Sequence, residues 1–156
     1  MTRSSGAIGD NWRERLVALV ERQSALYASL DALSQHQTTL VEAGDAQGVL
    51  EVLQSRQGLL DELAMIAEEQ RPLRERWASS LSTIDAQTRE RMAQRVRAIE
   101  RLAAEISERD ERDRELLAAQ RDGIATALST VGVTRRAVTA YGVSPEPGAR
   151  FQDREG

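Results

Sequence analysis

Apolar residues recur at alternating intervals of four and three over the first third of the chain. This spacing holds at nine consecutive positions, of which seven are apolar: Trp12, Leu16, Leu19, Gln23, Leu26, Leu30, Leu33, Gln37 and Leu40. The repeat places all nine on one face of a helix. A second row of positions widens that face: Val20, Tyr27, Ser34 and Val41. The pattern therefore predicts a long helix that packs against more than one partner helix.

A short turn separates this helix from a second apolar segment. Gly44 suits the left-handed position just past a helix end, and Asp45 suits the N-cap of the following helix. So short a turn predicts an antiparallel hairpin. The apolar residues of the second segment cover a broad arc: Val49, Leu50, Val52, Leu53, Leu59, Leu60, Leu63, Ala64, Ile66 and Ala67. That arc predicts a second helix lying between two neighbours.

Pro72 interrupts the second segment. Proline removes a backbone donor and disfavours helical geometry in the residue before it, so the sequence predicts a kink or a restart of the helix there. Further on, Asp85 follows Ser82 by three residues in a capping-box arrangement, which predicts that a third helix begins in this region.

The 4-3 spacing resumes in the third segment, at Met92, Val96, Ile99, Ala103, Ile106, Asp110, Asp113, Leu117, Gln120, Ile124, Ala127 and Val131. Residues 107–115 carry charge on every face, and Asp110 and Asp113 occupy positions that the repeat reserves for the core. Two interpretations are open: a solvated stretch where the third helix runs past the hairpin, or a buried ionic layer that fixes register. The many oppositely charged pairs four residues apart favour the solvated stretch.

The polar seam positions Gln23 and Gln37 also have two interpretations. They either set the register of the bundle or mark the place where an incoming helix is received, and we favour register.

These patterns predict an all-α fold, an antiparallel bundle of three long helices with a flexible C-terminal tail. We expect the bundle at residues 11–142, with helices at about 11–43, 46–81 and 84–131, and the sequence leaves open a short helix at 134–141. The polar segments 1–10 and 143–156 are expected to be disordered.

Composition and charge exclude several classes of function. All 21 basic residues are arginine, but the net charge of −4 argues against a general affinity for nucleic acid. The chain has no cysteine, so it has no disulfides. Residues 1–10 do not resemble a signal peptide, and no apolar run is long enough to span a membrane. We therefore expect a cytoplasmic protein without stable membrane insertion.

Candidate catalytic chemistry is sparse. His36 is the only histidine, and its position predicts an ordinary, partly exposed helix residue. No Glu-x-x-His motif is present for a di-iron or zinc site, and no glycine-rich loop is present for a phosphate. The sequence thus predicts no metal site, no cofactor and no enzymatic activity.

An ordered set of short motifs resembles the FlgN-type flagellar export chaperones. The motifs are Leu26-Tyr27 to Leu30, Gln37 to Leu40, Arg56-Gln57-Gly58-Leu59-Leu60-Asp61, Pro72-Leu73 with Trp77, Arg109-Asp110-Glu111-Arg112-Asp113-Arg114, and Ala140-Tyr141. The resemblance implies a non-enzymatic helical protein that binds the C-terminal helices of hook-filament junction proteins, keeps them unpolymerised and delivers them to the flagellar type III export gate.

The resemblance also implies where the binding sites lie. In the family, client binding is attributed to the C-terminal region, where the matching positions are Leu117, Ile124, Leu128, Val131, Ala137 and Val138. Tyr141 is the candidate for contact with the export gate, although a tyrosine that merely closes the bundle fits the sequence equally well. Two other classes stay open: a structural coiled-coil scaffold, which includes a homodimer, and a chaperone or adaptor of another secretion system.

Overall fold

The computed structural model describes residues 11–130, except for the side chains of Leu128 and Thr130. It contains three long helices: α1 (Trp12–Ala43), α2 (Ala46–Ser79) and α3 (Ala86–Thr130). A short 3-10 helix, Leu81–Thr83, lies between α2 and α3. The predicted all-α bundle of three long helices is confirmed. Over the described residues no helix carries an apolar stretch sufficient to cross a bilayer.

The side-chain pairs between helices establish how the helices run. Bonds from Arg15 to Glu69 and from Arg22 to Glu62 join α1 to α2 in opposite directions. Between α1 and α3, Glu21 pairs with Arg95 and Asp31 pairs with Arg109, so these two helices are parallel. Consecutive helices are therefore antiparallel.

The hairpin between α1 and α2 follows the predicted chemistry. Gly44 has φ of 72°, and its N–H donates to the Val41 carbonyl while the Asp45 N–H donates to the Leu40 carbonyl. This pair of bonds is a Schellman motif, which satisfies carbonyls that the helix end leaves unpaired. The Asp45 carboxylate then accepts from the Gly48 N–H at 2.9 Å and caps α2.

The predicted restart at Pro72 is wrong, since α2 is assigned as one helix across that residue. A proline inside a helix costs about 3 kcal/mol through the lost hydrogen bond and the ring clash. Tertiary packing offsets that cost, because Leu73 and Trp77 of the following turn pack against the buried cluster around Trp12.

The connection to α3 differs from the predicted capping box. Ser82 lies inside the 3-10 helix, and Asp85 itself is the cap: its carboxylate accepts from the Thr88 N–H at 2.9 Å and from the Thr88 hydroxyl at 2.6 Å. Ile84 is extended and buried, which anchors the connection to the core. In the structure α2 ends at Ser79 and α3 begins at Ala86.

Two apolar clusters form the core of the bundle, and each draws on more than one helix. The first contains Trp12, Leu16, Val20, Ile84 and Ile99, with the rings of Trp12 and Trp77 edge to face at 6.5 Å. The second contains Leu26, Leu30, Leu63, Ile66 and Ile106. Three of the four second-row positions of α1, Val20, Ser34 and Val41, are each at most 2% exposed, and the fourth, Tyr27, is half-buried. Every position of the wide stripe on α1 is therefore buried or half-buried, whereas Leu50, Leu60 and Met65, on the predicted arc of α2 or beside it, are exposed.

Candidate functional site

A buried polar layer replaces the apolar core at the hairpin side of the bundle. Arg56 of α2 donates through both terminal nitrogens to the two carboxylate oxygens of Asp110 on α3, at 2.7 and 2.6 Å. The same guanidinium donates to Gln37 Oε1 of α1 at 2.7 Å. A bidentate arginine and carboxylate pair of this kind is among the strongest hydrogen-bonded contacts that side chains make. One arginine therefore joins all three helices.

Asp113 completes the layer one turn further along α3. It is 3% exposed and accepts from the Gln37 side-chain amide at 2.9 Å and from the Thr38 hydroxyl at 2.9 Å. Over the described residues, no buried side-chain nitrogen or oxygen lacks a hydrogen-bond partner. A buried polar group is costly only when it is unpaired, so this layer is compatible with a stable fold.

A second ionic contact between α1 and α3 lies one turn before the layer. Arg109 donates to Asp31 at 3.0 Å and to the hydroxyl of Ser34 at 3.1 Å. The Arg109 and Asp31 side chains are 17% and 18% exposed, and Ser34 is fully buried. The solvated interpretation of residues 107–115 is therefore wrong, because Arg109, Asp110 and Asp113 face the neighbouring helices.

The sequence held a signal for this layer. The buried positions of α2 are Val49, Val52, Arg56, Leu63, Ile66 and Gln70. They lie three or four residues apart, except for the step of seven from Arg56 to Leu63, so Arg56 occupies a seam position. An arginine on one seam and two aspartates on another are complementary charges at core positions. Single-helix periodicity could not show which seam positions of different helices lie at the same level.

Both seam glutamines bond inside the bundle, as the register interpretation requires. Gln70 of α2 is 1% exposed and donates to Gln23 at 3.0 Å, and Gln37 belongs to the polar layer.

His36 is exposed on α1. Within residues 11–130, no group of three His, Asp or Glu side chains converges in a way that could hold a metal ion.

The C-terminal part of α3 presents a different surface. Ile99, Ile106 and Asp113 lie seven residues apart on the seam and are 7%, 5% and 3% exposed. The alternate seam positions, also seven residues apart, are half-buried at Val96, Ala103 and Asp110 but 40% and 54% exposed at Leu117 and Ile124. Seam positions 117 and 124 are thus apolar without being buried.

The predicted binding residues are only partly within the described chain. Leu117 and Ile124 lie on α3 and are exposed, and Leu128 lies on α3 with its side chain not described. Val131, Ala137, Val138 and Tyr141 lie outside the described residues, as does the short helix that the sequence allows at 134–141.

A family model described as FlgN protein matches residues 12–145. The chain belongs to the FlgN family. The match includes all three helices and the C-terminal segment that holds the predicted binding residues. Members of the FlgN family are flagellar chaperones that bind flagellar export substrates, so the predicted family is confirmed and a chaperone role follows from membership. No curated protein and no solved structure is significantly similar to the chain.

Proposed function

We propose that this protein is a cytoplasmic flagellar export chaperone that binds the C-terminal helices of hook-filament junction proteins and delivers them to the type III export gate. Family membership supports the chaperone role. The observation that carries the client surface is the exposure of Leu117 and Ile124, since the seam positions that precede them at intervals of seven, Val96, Ala103 and Asp110, are half-buried.

The geometry suits recognition of an amphipathic helix. Leu117 and Ile124 are seven residues apart and therefore lie two turns apart on one helical face. A client helix with leucines at intervals of three and four would cover both side chains. Because about half of each side chain is still exposed, its burial would contribute about 1 kcal/mol. Leu128, Val131, Ala137 and Val138 extend the proposed surface along the sequence.

Amide hydrogen exchange on the full chain tests this proposal. The protein is measured alone and mixed with the C-terminal helical segment of a hook-filament junction protein. We expect protection between residues 116 and 141 to increase in the mixture, since exchange slows where binding suppresses local opening. Strong protection of this stretch in the protein alone, without change on mixing, would instead indicate a self-associating scaffold.

Two full-length variants sharpen the test. Leu117→Glu combined with Ile124→Glu places charge on the proposed surface and should weaken client binding at least about tenfold. Met65→Glu is the matched control, because Met65 is 66% exposed on α2, outside the proposed surface, and its replacement should change affinity by less than about twofold. Equal binding by both variants would contradict the assigned surface.

Tyr141 is proposed as the contact with the export gate, and this role is separable from client binding. Tyr141→Ala should leave the client affinity unchanged while secretion of the junction proteins falls. If secretion were unchanged, Tyr141 would have no part in delivery, whereas a loss of client affinity would assign it to the client surface.

A further inference from the structure

An open apolar groove of about 740 Å³ runs between the end of α2 and the first half of α3. Its floor belongs to α1, where Leu16 and Val20 are each only 2% exposed. Its walls rise from the other two helices and the turn between them. The apolar lining is formed chiefly by Leu16, Val20, Trp77, Leu81, Ala93 and Val96.

The shape of the groove favours a helical occupant. The residues that α3 contributes extend from Ala86 to Glu100 and recur every three to four positions. At about 1.5 Å per residue, this wall is about 21 Å long and spans four helical turns. A compact small molecule would fill only a fraction of a surface this long, whereas a helix of similar length would follow it.

The charges at the edges of the groove specify the occupant further. Five charged residues line the groove, Arg74, Arg89, Glu90, Arg97 and Glu100, with a net charge of +1 in a chain whose total is −4. Arg74 on the α2 wall and Arg89 on the α3 wall form no side-chain ion pair with any described residue. On the α3 wall, Arg97 is already paired with Glu90 at 3.3 Å. One unpaired guanidinium therefore stands on each wall, and the α3 wall also carries the carboxylate of Glu100.

We propose that this groove docks an amphipathic helix of a partner protein, with an apolar stripe flanked by aspartate or glutamate. The stripe would cover Trp77, Leu81 and Val96, and the flanking carboxylates would pair with Arg74 and Arg89. A flat anionic membrane is a poorer fit, because the apolar side chains lie in a recess between two charged walls. This surface is separate from the one around Leu117 and Ile124, so the inference goes beyond the proposed client site and does not depend on it.

Two synthetic peptides of about 18 residues test the charge selectivity. Both carry leucine at intervals of three and four; one has glutamates flanking the stripe, and the other has lysines at the same positions. On titration into the full chain, the glutamate peptide should bind at least about tenfold tighter than the lysine peptide. The chain has two tryptophans, so two indole N–H resonances report the site, and that of Trp77 should shift.

A charge-reversal variant separates the groove from the other arginines of α3. Arg74→Glu combined with Arg89→Glu should weaken binding of the glutamate peptide about tenfold and strengthen binding of the lysine peptide. Arg101→Glu is the matched control, since Arg101 is exposed on α3 but does not line the groove, and the selectivity should survive this change.

Several results would overturn the assignment. Equal binding of the two peptides, or binding without a shift of Trp77, would exclude an acidic helix in the groove. Binding of phosphatidylglycerol vesicles that the charge reversal abolishes, with no peptide binding, would assign the arginines to a membrane. Self-association that Leu81→Glu abolishes would assign the groove to a second copy of the chain.

Binding of the junction-protein segment is measured on the same charge-reversal variant and should be unchanged. If that segment failed to bind even the unmodified chain while the glutamate peptide still bound, the proposed client would be wrong and the groove assignment would stand.

Discussion

The apolar cluster around Trp12 and the polar layer around Arg56 bury similar positions of the three-helix seam by different means. In the first, Leu16 and Ile99 are excluded from water by non-directional apolar contact. In the second, Arg56 and Asp113 are buried and Asp110 is half-buried, all with hydrogen bonds of defined geometry. Sliding α3 by one turn, about 5.4 Å, would leave apolar side chains facing apolar side chains but would break every bond of the layer.

The two regions therefore contribute differently to the stability of the bundle and to the register of its helices. Per residue, the apolar cluster contributes more to the free energy of folding than the polar layer does, because apolar burial stabilises at about 25 cal/mol per Å². The polar layer adds little net stability compared with apolar residues of the same size, but it is satisfied in one alignment of the helices only. The layer therefore fixes the register of a seam whose leucines and alanines would accept several alignments.

Arg56→Leu is expected to have the largest effect. Removing the guanidinium leaves the Asp110 carboxylate without its cationic partner in a partly buried site, which should lower the free energy of unfolding by about 3 to 4 kcal/mol. Urea denaturation followed by circular dichroism measures the change. Arg22→Leu is the control, because its ion pair with Glu62 is exposed and should contribute less than about 1 kcal/mol. A similar loss in both variants would refute the special status of the layer.

Replacing the whole layer separates stability from register. A quadruple variant, Arg56→Leu with Gln37→Leu, Asp110→Leu and Asp113→Leu, should recover a stability within about 1 kcal/mol of the unmodified protein, because no partner of the layer is left buried and unpaired. Because the chain has no cysteine, pairs introduced at exposed sites report alignment through a short crosslinker. Glu21→Cys should crosslink to Arg95→Cys in the unmodified background, since these two side chains bond at 3.0 Å. In the quadruple variant Glu21→Cys should crosslink to Arg91→Cys as well, and its failure to do so would show that register is fixed elsewhere.

Leu16→Ala tests the apolar region in the same way. Leu16 is 2% exposed, and its truncation should cost about 2 to 3 kcal/mol, toward the lower end for such changes because the adjoining groove limits the enclosed cavity. The crosslinking pattern should stay that of the unmodified protein, since the polar layer is intact. A second register appearing in this variant would mean that the apolar cluster, too, controls alignment.

The sequence predicted the three helices because their periodicity is a property of each helix alone. Gly44 and Asp45 marked the hairpin for the same reason, since a left-handed residue and an N-cap are local requirements. The restart predicted at Pro72 did not occur, because the cost of the proline is local while the packing of Leu73 and Trp77 that offsets it is not. The same limit hid the partner of Asp110, because Arg56 is 54 residues away.

The candidate binding residues differ in what supports them. Leu117 and Ile124 are exposed in the structure, and their role in client binding stays a prediction. Residues 131–141, which complete the predicted surface, rest on the family resemblance and on the match to residues 12–145. The groove beside Trp77 gave no sequence signal, because it arises from the spacing between two helices that each have an ordinary amphipathic pattern.

The smallest expected effect is at Asp85, which follows Ile84 of the apolar cluster around Trp12. The hydrogen bonds from the Thr88 hydroxyl and the Thr88 N–H stabilise the charged carboxylate and lower the pKa of Asp85 below its ordinary value of 3.8. A lowered folded-state pKa gives a stabilising contribution that is present above 3.8 and is lost as the pH falls through the folded-state value. Asp85→Asn keeps a good N-cap but cannot titrate in this way. Thermal unfolding of the two proteins should therefore show the unmodified chain losing stability relative to Asp85→Asn only on acidification. Parallel pH profiles would mean that the cap is equally charged in the folded and unfolded chain.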